Sequence, residues 1–476
     1  MGKRTLILIL VCVFAAFAGD SVPPAPENPP AEEKLPLALV ILAYPFTHVV
    51  QPVFELLLFP VAKPLDYMIK TGAVGKGVEL FSFGKEKNIF IFPTMNLSPG
   101  SKNSLGISYR HRNLFFAPDY LSMATNQYAN GDWSFTAGYN KHQLFGSKIS
   151  TGIRFRYDAD RDASFTVPDS STAFSFCDSS FSTEIRFSRQ VPYFPFLSFT
   201  AQADFRWNRT DIPESISDSI FPADASFNRY SHGIYQDFLY VPISASLTFD
   251  NLDAPYMPTR GSRIILNWTY GKVGDYRGHN TDAVLSNRYS HDFQTIDLVA
   301  QHYIFLGTSG TRYNFTYEEG EKNRRYYTDF SWGETVRMWK PENIRNTLFQ
   351  RRVLAFQFRA RQLFEMEPGG APYRAFPSIS SRFPLRGYNG SFTDYAIMGI
   401  SMEYRWPIDR LVDGVVFNEY AVYQRNLLRF ETDHLRNSWG FGIRVRRPEM
   451  YFFRVQLGFH GFDGINFVMT IAPEFQ

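Results

Sequence analysis

The stretch Phe383-Pro384-Leu385-Arg386-Gly387-Tyr388, continuing from Asn389 to Tyr395, holds the residues best suited to a chemical role. Arg386 is a permanent cation whose planar fork matches a carboxylate through paired hydrogen bonds. Gly387 beside it opens backbone angles closed to other residues. A Pro before the tip, an aromatic after it and small polar residues beyond describe a loop folded back into an enclosure. In that setting Arg386 requires an acidic partner on an inward-facing wall. The same few residues also describe an exposed turn with a solvated Arg, so the rest of the chain has to decide.

A second set lies near the start. His48, Gln51 and Glu55 fall at i, i+3 and i+7 and share one helical face, and Lys63, Asp66 and Lys70 repeat the spacing after Pro60. Opposite them stand Val49, Val50, Val53, Phe54, Leu56 and Leu57. The apolar run from Leu35 to Ala62 is long enough to span a bilayer, but Pro36, Pro45, Pro52 and Pro60 interrupt it. The pattern predicts a short amphipathic helical segment over residues 35–80, lying on a membrane surface or inserted as a plug into a wider structure.

The elements that must position these residues are strands. Beyond Lys87 the hydropathy pattern has period two. Ile149, Thr151, Ile153, Phe155 and Tyr157 alternate with Ser150, Gly152, Arg154, Arg156 and Asp158. Phe199, Ala201, Ala203, Phe205 and Trp207 alternate with Thr200, Gln202, Asp204, Arg206 and Asn208. Phe453, Val455, Leu457 and Phe459 do so with Phe452, Arg454, Gln456 and Gly458. Strands of about ten residues, charged on one face and apolar on the other, suit a bilayer crossed at a tilt rather than a soluble sandwich. Sixteen or seventeen such segments can be counted between residue 88 and the terminus, where Ile465, Phe467, Met469 and Ile471 alternate toward Phe475. An even number closes a barrel. The polar stretches 159–180, 209–238, 271–291 and 320–350 are expected as long loops.

Composition agrees. The chain has 476 residues, with 47 Phe, 27 Tyr and 7 Trp, yet its mean hydropathy is slightly negative, as strands with one apolar and one polar face require. A net charge of +3 gives no reason to expect nucleic acid. Lys3, Arg4 and the apolar run Leu6 to Phe17 predict a signal peptide over residues 1–18, followed by a Pro-rich linker at 19–34. Only Cys177 then remains, which excludes an internal disulfide framework. His48 and His111 have no partner in the sequence at metal-ligand spacing, and no catalytic constellation or cofactor motif is recognised, so neither an enzyme nor a metal site is expected.

With a barrel in place, the Arg386 stretch resembles the sixth-loop motif of the BamA-type superfamily, the bacterial surface antigen family. Asp250-Asn251-Leu252-Asp253-Ala254-Pro255 and Pro258-Thr259-Arg260-Gly261-Ser262-Arg263 resemble that family's signature between barrel strands. Phe417-Asn418-Glu419-Tyr420-Ala421-Val422-Tyr423 is similar to its Phe-x-Asp-x-Gly-x-Val strand, with Glu for Asp and Ala for Gly. The closing region from Arg436 to Phe475 is similar to its last three strands. The resemblance implies an all-β transmembrane fold: an antiparallel outer-membrane barrel of about sixteen strands over residues 88–476, with a short N-terminal helical segment. It further implies that the loop carrying Arg386, Gly387 and Tyr388 turns into the lumen. Glu419 is then the matching acidic partner, with Glu403 the second choice.

Family members that fold or secrete proteins carry POTRA domains ahead of the barrel, and this sequence leaves no room for them, so it resembles a POTRA-less branch. The implied function is transport or insertion of a protein or lipid client in the bacterial outer membrane, with the lumen gated by the Arg386 loop and the N-terminal segment. The alternative is a structural barrel that docks a partner without transport. Expected partners are outer-membrane lipids or lipopolysaccharide, and a periplasmic or outer-membrane protein in place of the POTRA domains.

Overall fold

A computed structural model describes residues 37–54, 58, 82–84, 88–97, 104–115, 119–128, 131–142, 144, 149–166, 173–211, 237–253, 258–275, 291–308, 351–366, 371–380, 385–388, 391–409, 412–429, 433–447, 450–461 and 464–470. The expected signal peptide and linker, and Glu55, lie outside the described residues. The strands are β1 (Ser82–Phe83), β2 (Ile89–Leu97), β3 (Ser104–Arg112), β4 (Asp119–Tyr128), β5 (Trp133–Lys141), β6 (Ile149–Thr166), β7 (Ala173–Gln190), β8 (Leu197–Asp211), β9 (Asp237–Asp250) and β10 (Gly261–Asp275). They continue with β11 (His291–Thr308), β12 (Arg351–Glu365), β13 (Ser378–Ser380), β14 (Ser391–Thr393), β15 (Ala396–Asp409), β16 (Val412–Gln424), β17 (Leu435–Arg447), β18 (Met450–His460) and β19 (Gly464–Thr470).

Sixteen of these, β2 to β12 and β15 to β19, form one antiparallel sheet in chain order, and β19 pairs back onto β2 through Met469 opposite Leu97 and Thr470 opposite Asn96. The sheet is therefore a closed barrel. Closure is what lets strands cross a membrane, because every strand then finds a partner for its backbone on both sides. Alternation sorts the two faces as the sequence predicts. Leu266, Trp268, Ile296, Phe364, Ile400 and Tyr420 are exposed on the outside, while Ser401, Glu403, Glu419, Ser438, Arg444 and Gln456 are buried within. The expected loop at 159–180 is mostly strand, since β6 runs to Thr166 and β7 starts at Ala173. Strand ends that stand clear of the bilayer carry polar residues on both faces, so their alternation fades before the strand does.

The barrel has a turn end, where β15 joins β16 and β17 joins β18 across residues 410–411 and 448–449. The connection 309–350 between β11 and β12 springs from this same end, so the expected loop at 320–350 belongs with the short turns and not with the other long loops.

The N-terminal segment begins with helix α1 (Leu37–Pro45) and widens into a π-turn (Phe46–Val50) closed by Gln51 N–H donating to the Phe46 carbonyl. Pro52 explains the widening, since it has no N–H and its ring pushes aside the carbonyl four residues back. This segment packs on the outside of the barrel. Ala43, Phe46, Val50, Phe54 and Leu58 sit with Leu306, Leu354, Tyr404, Trp406 and Ile443. Tyr404 and Trp406 alternate with Glu403 and Arg405, whose side chains are buried on the inner face. Trp406 lies flat over Gly414, where a Cβ would come within 2.4 Å of the indole ring. Residues 37–54 therefore lie against the outer wall and not in the lumen, while the rest of the expected segment, Leu58 apart, lies outside the described residues. Gln51, expected on the polar face with His48, is buried instead: its Oε1 accepts from Arg352 Nε and from the Tyr404 hydroxyl, both at 3.0 Å. His48 is turned outward. Arg352, the second residue of β12, holds this contact.

Candidate functional site: a buried arginine in the lumen

Between β12 and β15 the chain folds back into the barrel. A 3-10 turn (Tyr373–Ala375) leads into the β13–β14 hairpin, in which Ser378, Ile379 and Ser380 pair with Thr393, Phe392 and Ser391. Ile379 and Leu385 are fully buried against Ile397 and Ala421 of the inner wall, which gives the loop a small apolar core of its own. The Arg386 tip hangs from this support.

Arg386 is 3% exposed, and its side chain reaches three strands, β15, β16 and β18. Its Nε and its backbone N–H donate to the two oxygens of Glu419 on β16, each at 2.7 Å. Its Nη1 lies 2.7 Å from Glu403 Oε1 on β15 and donates to Gln456 Oε1 on β18 at 3.1 Å, while Nη2 donates to Ser401 Oγ at 3.3 Å. The guanidinium also stacks 3.6 Å from the centre of the Phe417 ring. A buried guanidinium is tolerable only when its donors are satisfied and its charge is met, and this one has both. The structure brings Arg386 to Glu419 and to Glu403 together.

Glu403 is shared. Arg405 Nη2 is 2.7 Å from its Oε2, and Arg444 Nη2 from β17 donates to both its oxygens at 2.9 Å. Three cations thus converge on two carboxylates at the inner wall. Gly387 donates its N–H to Ser438 Oγ at 2.7 Å, and its carbonyl lies 2.9 Å from His460 Nδ1. Asn466 on β19 donates to the Arg386 carbonyl at 2.7 Å. The loop backbone lies so close to β18 that a Cβ on Gly387 would stand 2.4 Å from the Phe459 carbonyl oxygen, and one on Gly458 2.6 Å from that of Arg386. Tyr388 rests against His460 and Phe392, with ring centres 4.8 and 5.5 Å away.

The sequence does not mark Ser438, Arg444, His460 or Asn466 individually. Their only signal is membership of the polar parity on the last three strands. A second tether, also unmarked, stands on the opposite side of the lumen: Arg374 Nε donates to Asp178 Oδ2 on β7 at 2.6 Å. The loop is therefore held to two facing walls.

The resembling stretch between β9 and β10 is a turn wired by its own side chains. Asn251 Oδ1 accepts from Ser262 N–H at 2.7 Å, Asp253 Oδ1 from Thr259 N–H at 2.8 Å, and Asp250 Oδ2 from Arg263 Nε at 2.7 Å. It places Leu252 against Tyr303, Val353 and Ala355 on the inner face at the turn end.

Among solved structures, the fold is similar to that of BamA from Haemophilus ducreyi lacking POTRA domains 1–3, with a TM-score of 0.51 at 11% identity over 81% of this chain and 70% of that one. CdiB from Acinetobacter baumannii and CdiB from Escherichia coli are matched less well, with TM-scores of 0.46 and 0.47 at 8% identity. Each match covers 80% of this chain and 59% and 62% of theirs. No curated protein sequence matches the chain. The family model for the Omp85 superfamily domain matches residues 113–469, from the end of β3 through β19 and across both resembling motifs, the Arg386 loop and its carboxylates. That is more than half of the chain, which accordingly belongs to the Omp85 superfamily of bacterial outer-membrane β-barrels.

Proposed function

We propose that the protein is an outer-membrane barrel for transport or insertion of a protein or lipid client, whose lumen is closed by the loop 366–395 and opened when Arg386 leaves its carboxylates. The observation that carries this reading is the Arg386 cluster itself. The loop is pinned to the inner wall by directional polar contacts around one side chain, and such a contact set has two discrete states, made or broken. Residues 37–54 take no part in this gating scheme, because they lie on the outer wall.

Planar-bilayer conductance tests the reading. The intact protein is expected to be closed for most of a recording, and Arg386→Ala to raise the open fraction and the size of openings. Equal silence from both, with the barrel folded, would sink it.

One observation favours the partner-docking reading as a second choice. The connection 309–350 joins β11 to β12 at the turn end and is far longer than the other connections there, 251–260 included, which suits contact with a periplasmic protein at that end. Stoichiometric crosslinking from this segment, together with a silent bilayer, would make docking the better account.

A further inference from the structure

Residues 37–54 contain no Asp, Glu, Lys or Arg, and they are apolar on both sides. One side meets the barrel wall through Phe46, whose ring centre is 5.1 Å from that of Tyr404, and Phe54, 5.0 Å from Phe441. The other side leaves Ile41, Tyr44, Val49 and Val53 between 54% and 65% exposed. An amphipathic helix bathed in water would turn polar residues to that side. Here Gln51 is turned to the wall, Thr47 is turned back onto the helix, and His48, exposed and stacked 4.3 Å from the Tyr44 ring, has its Nδ1 folded back onto the segment. Thr47 Oγ1 donates to the Ala43 carbonyl at 3.0 Å, and His48 Nδ1 lies 2.7 Å from Thr47 Oγ1 and 3.2 Å from the Tyr44 carbonyl oxygen. Gln51 is spent on Arg352 and Tyr404 of the wall. Side chains folded back onto backbone carbonyls around a proline are what a helix needs where water cannot reach it.

The wall residues it covers, Leu306, Leu354, Trp406 and Ile443, stand in the turn-end parts of their strands, on the same outward face as Ile400 and Tyr420. The apolar surface of the segment thus continues the apolar surface by which the barrel meets the bilayer.

We infer that residues 37–54 form a strap embedded in the membrane leaflet at the turn end, clipped to the outer wall by Gln51 and contacting lipid acyl chains through Ile41, Tyr44, Val49 and Val53. The partner of this surface is lipid, and neither water nor a second protein covers it. No described helix is long and apolar enough to cross a membrane, which agrees with a strap lying within one leaflet.

Nitroxide labels test this on the full chain with both native cysteines replaced by Ser. Labels go on Ile41→Cys and Val49→Cys, with Leu266→Cys on the outward barrel face as the lipid reference. Tyr193→Cys, in the 98% exposed position of the β7–β8 turn, is the water reference. In vesicles of phosphatidylethanolamine and phosphatidylglycerol, collisions with oxygen and with a water-soluble nickel chelate are compared, and heat-dependent electrophoretic mobility verifies that each barrel is folded. The strap labels should show an oxygen-to-nickel ratio at least about threefold above that at Tyr193 and close to that at Leu266. A ratio like that at Tyr193 overturns the proposal by placing the segment in water. Low collision with both reagents overturns it as well, because protein then covers the face. Gln51→Ala in the Val49→Cys background should raise the mobility of the label, and an unchanged spectrum removes the clip.

Discussion

At the scale of single residues the protein turns on one enclosed cation. Arg386→Ala leaves Glu419, 1% exposed, without the guanidinium that meets its charge. Removing one partner of a buried pair costs about 3–5 kcal/mol, and the loss should appear as a lower temperature for the heat-dependent mobility shift. Arg386→Lys keeps the charge but cannot present two parallel donors, so it should fall between wild type and Ala. An Ala variant as resistant to heat as wild type would remove the cluster from any holding role. Glu419→Asp tests the length of the arm. Glu419 accepts at once from the backbone N–H and from Nε of Arg386, and the shorter side chain should lose one of these, a cost of about 1–3 kcal/mol. An Asp variant as stable as wild type would show that Glu403 holds the cation alone. Arg386, Glu419 and Glu403 were legible in the sequence through motif and strand parity. Ser438, Gln456 and Asn466 were legible only as polar positions, because what selects them is the point at which a loop distant in sequence touches their strands.

At the scale of elements the loop 366–395 is a bridge, pinned at Asp178 on β7 and at Glu403 and Glu419 on β15 and β16. Arg374→Ala frees the first support and leaves the second. It should give brief added openings in planar bilayers, whereas the double variant with Arg386→Ala should open more than the two single effects sum to, because the remaining tether in each single variant still returns the hairpin to the lumen for part of the time. Strictly additive effects would mean that the two supports act on different closures. The strands themselves were readable from period two, since the inner and outer faces differ so sharply. The N-terminal helix was readable as a helix and misread in orientation. The reading of Gln51 and His48 as a solvent-facing stripe assumes water on one side, yet the outer face is apolar and the buried Gln51 marks the protein-facing side. The π-turn also rotates the face beyond Phe46, so spacing counted at 3.6 residues per turn no longer groups the right side chains.

At the scale of the whole molecule, the part proposed to close the pore and the part that wraps the barrel are separate stretches of the chain. The loop lies inside and crosses the lumen, while residues 37–54 lie outside against β11, β12, β15, β16 and β17. Under the proposed gating, ion flow along the barrel axis depends on the inner part alone. Removing residues 371–393, with a short Gly-Ser join between β12 and β15, should therefore produce a large and stable conductance. Removing residues 37–54 should leave single-channel conductance as it is in the intact protein, while lowering the resistance of the folded barrel to heat, because Tyr404, Trp406 and Ile443 lose their cover and Arg352 loses its acceptor. The two deletions thus separate in opposite directions on two readouts. A pore opened by loss of 37–54 would require that segment to obstruct the lumen, which its contacts with the outward-facing side chains of five strands do not permit.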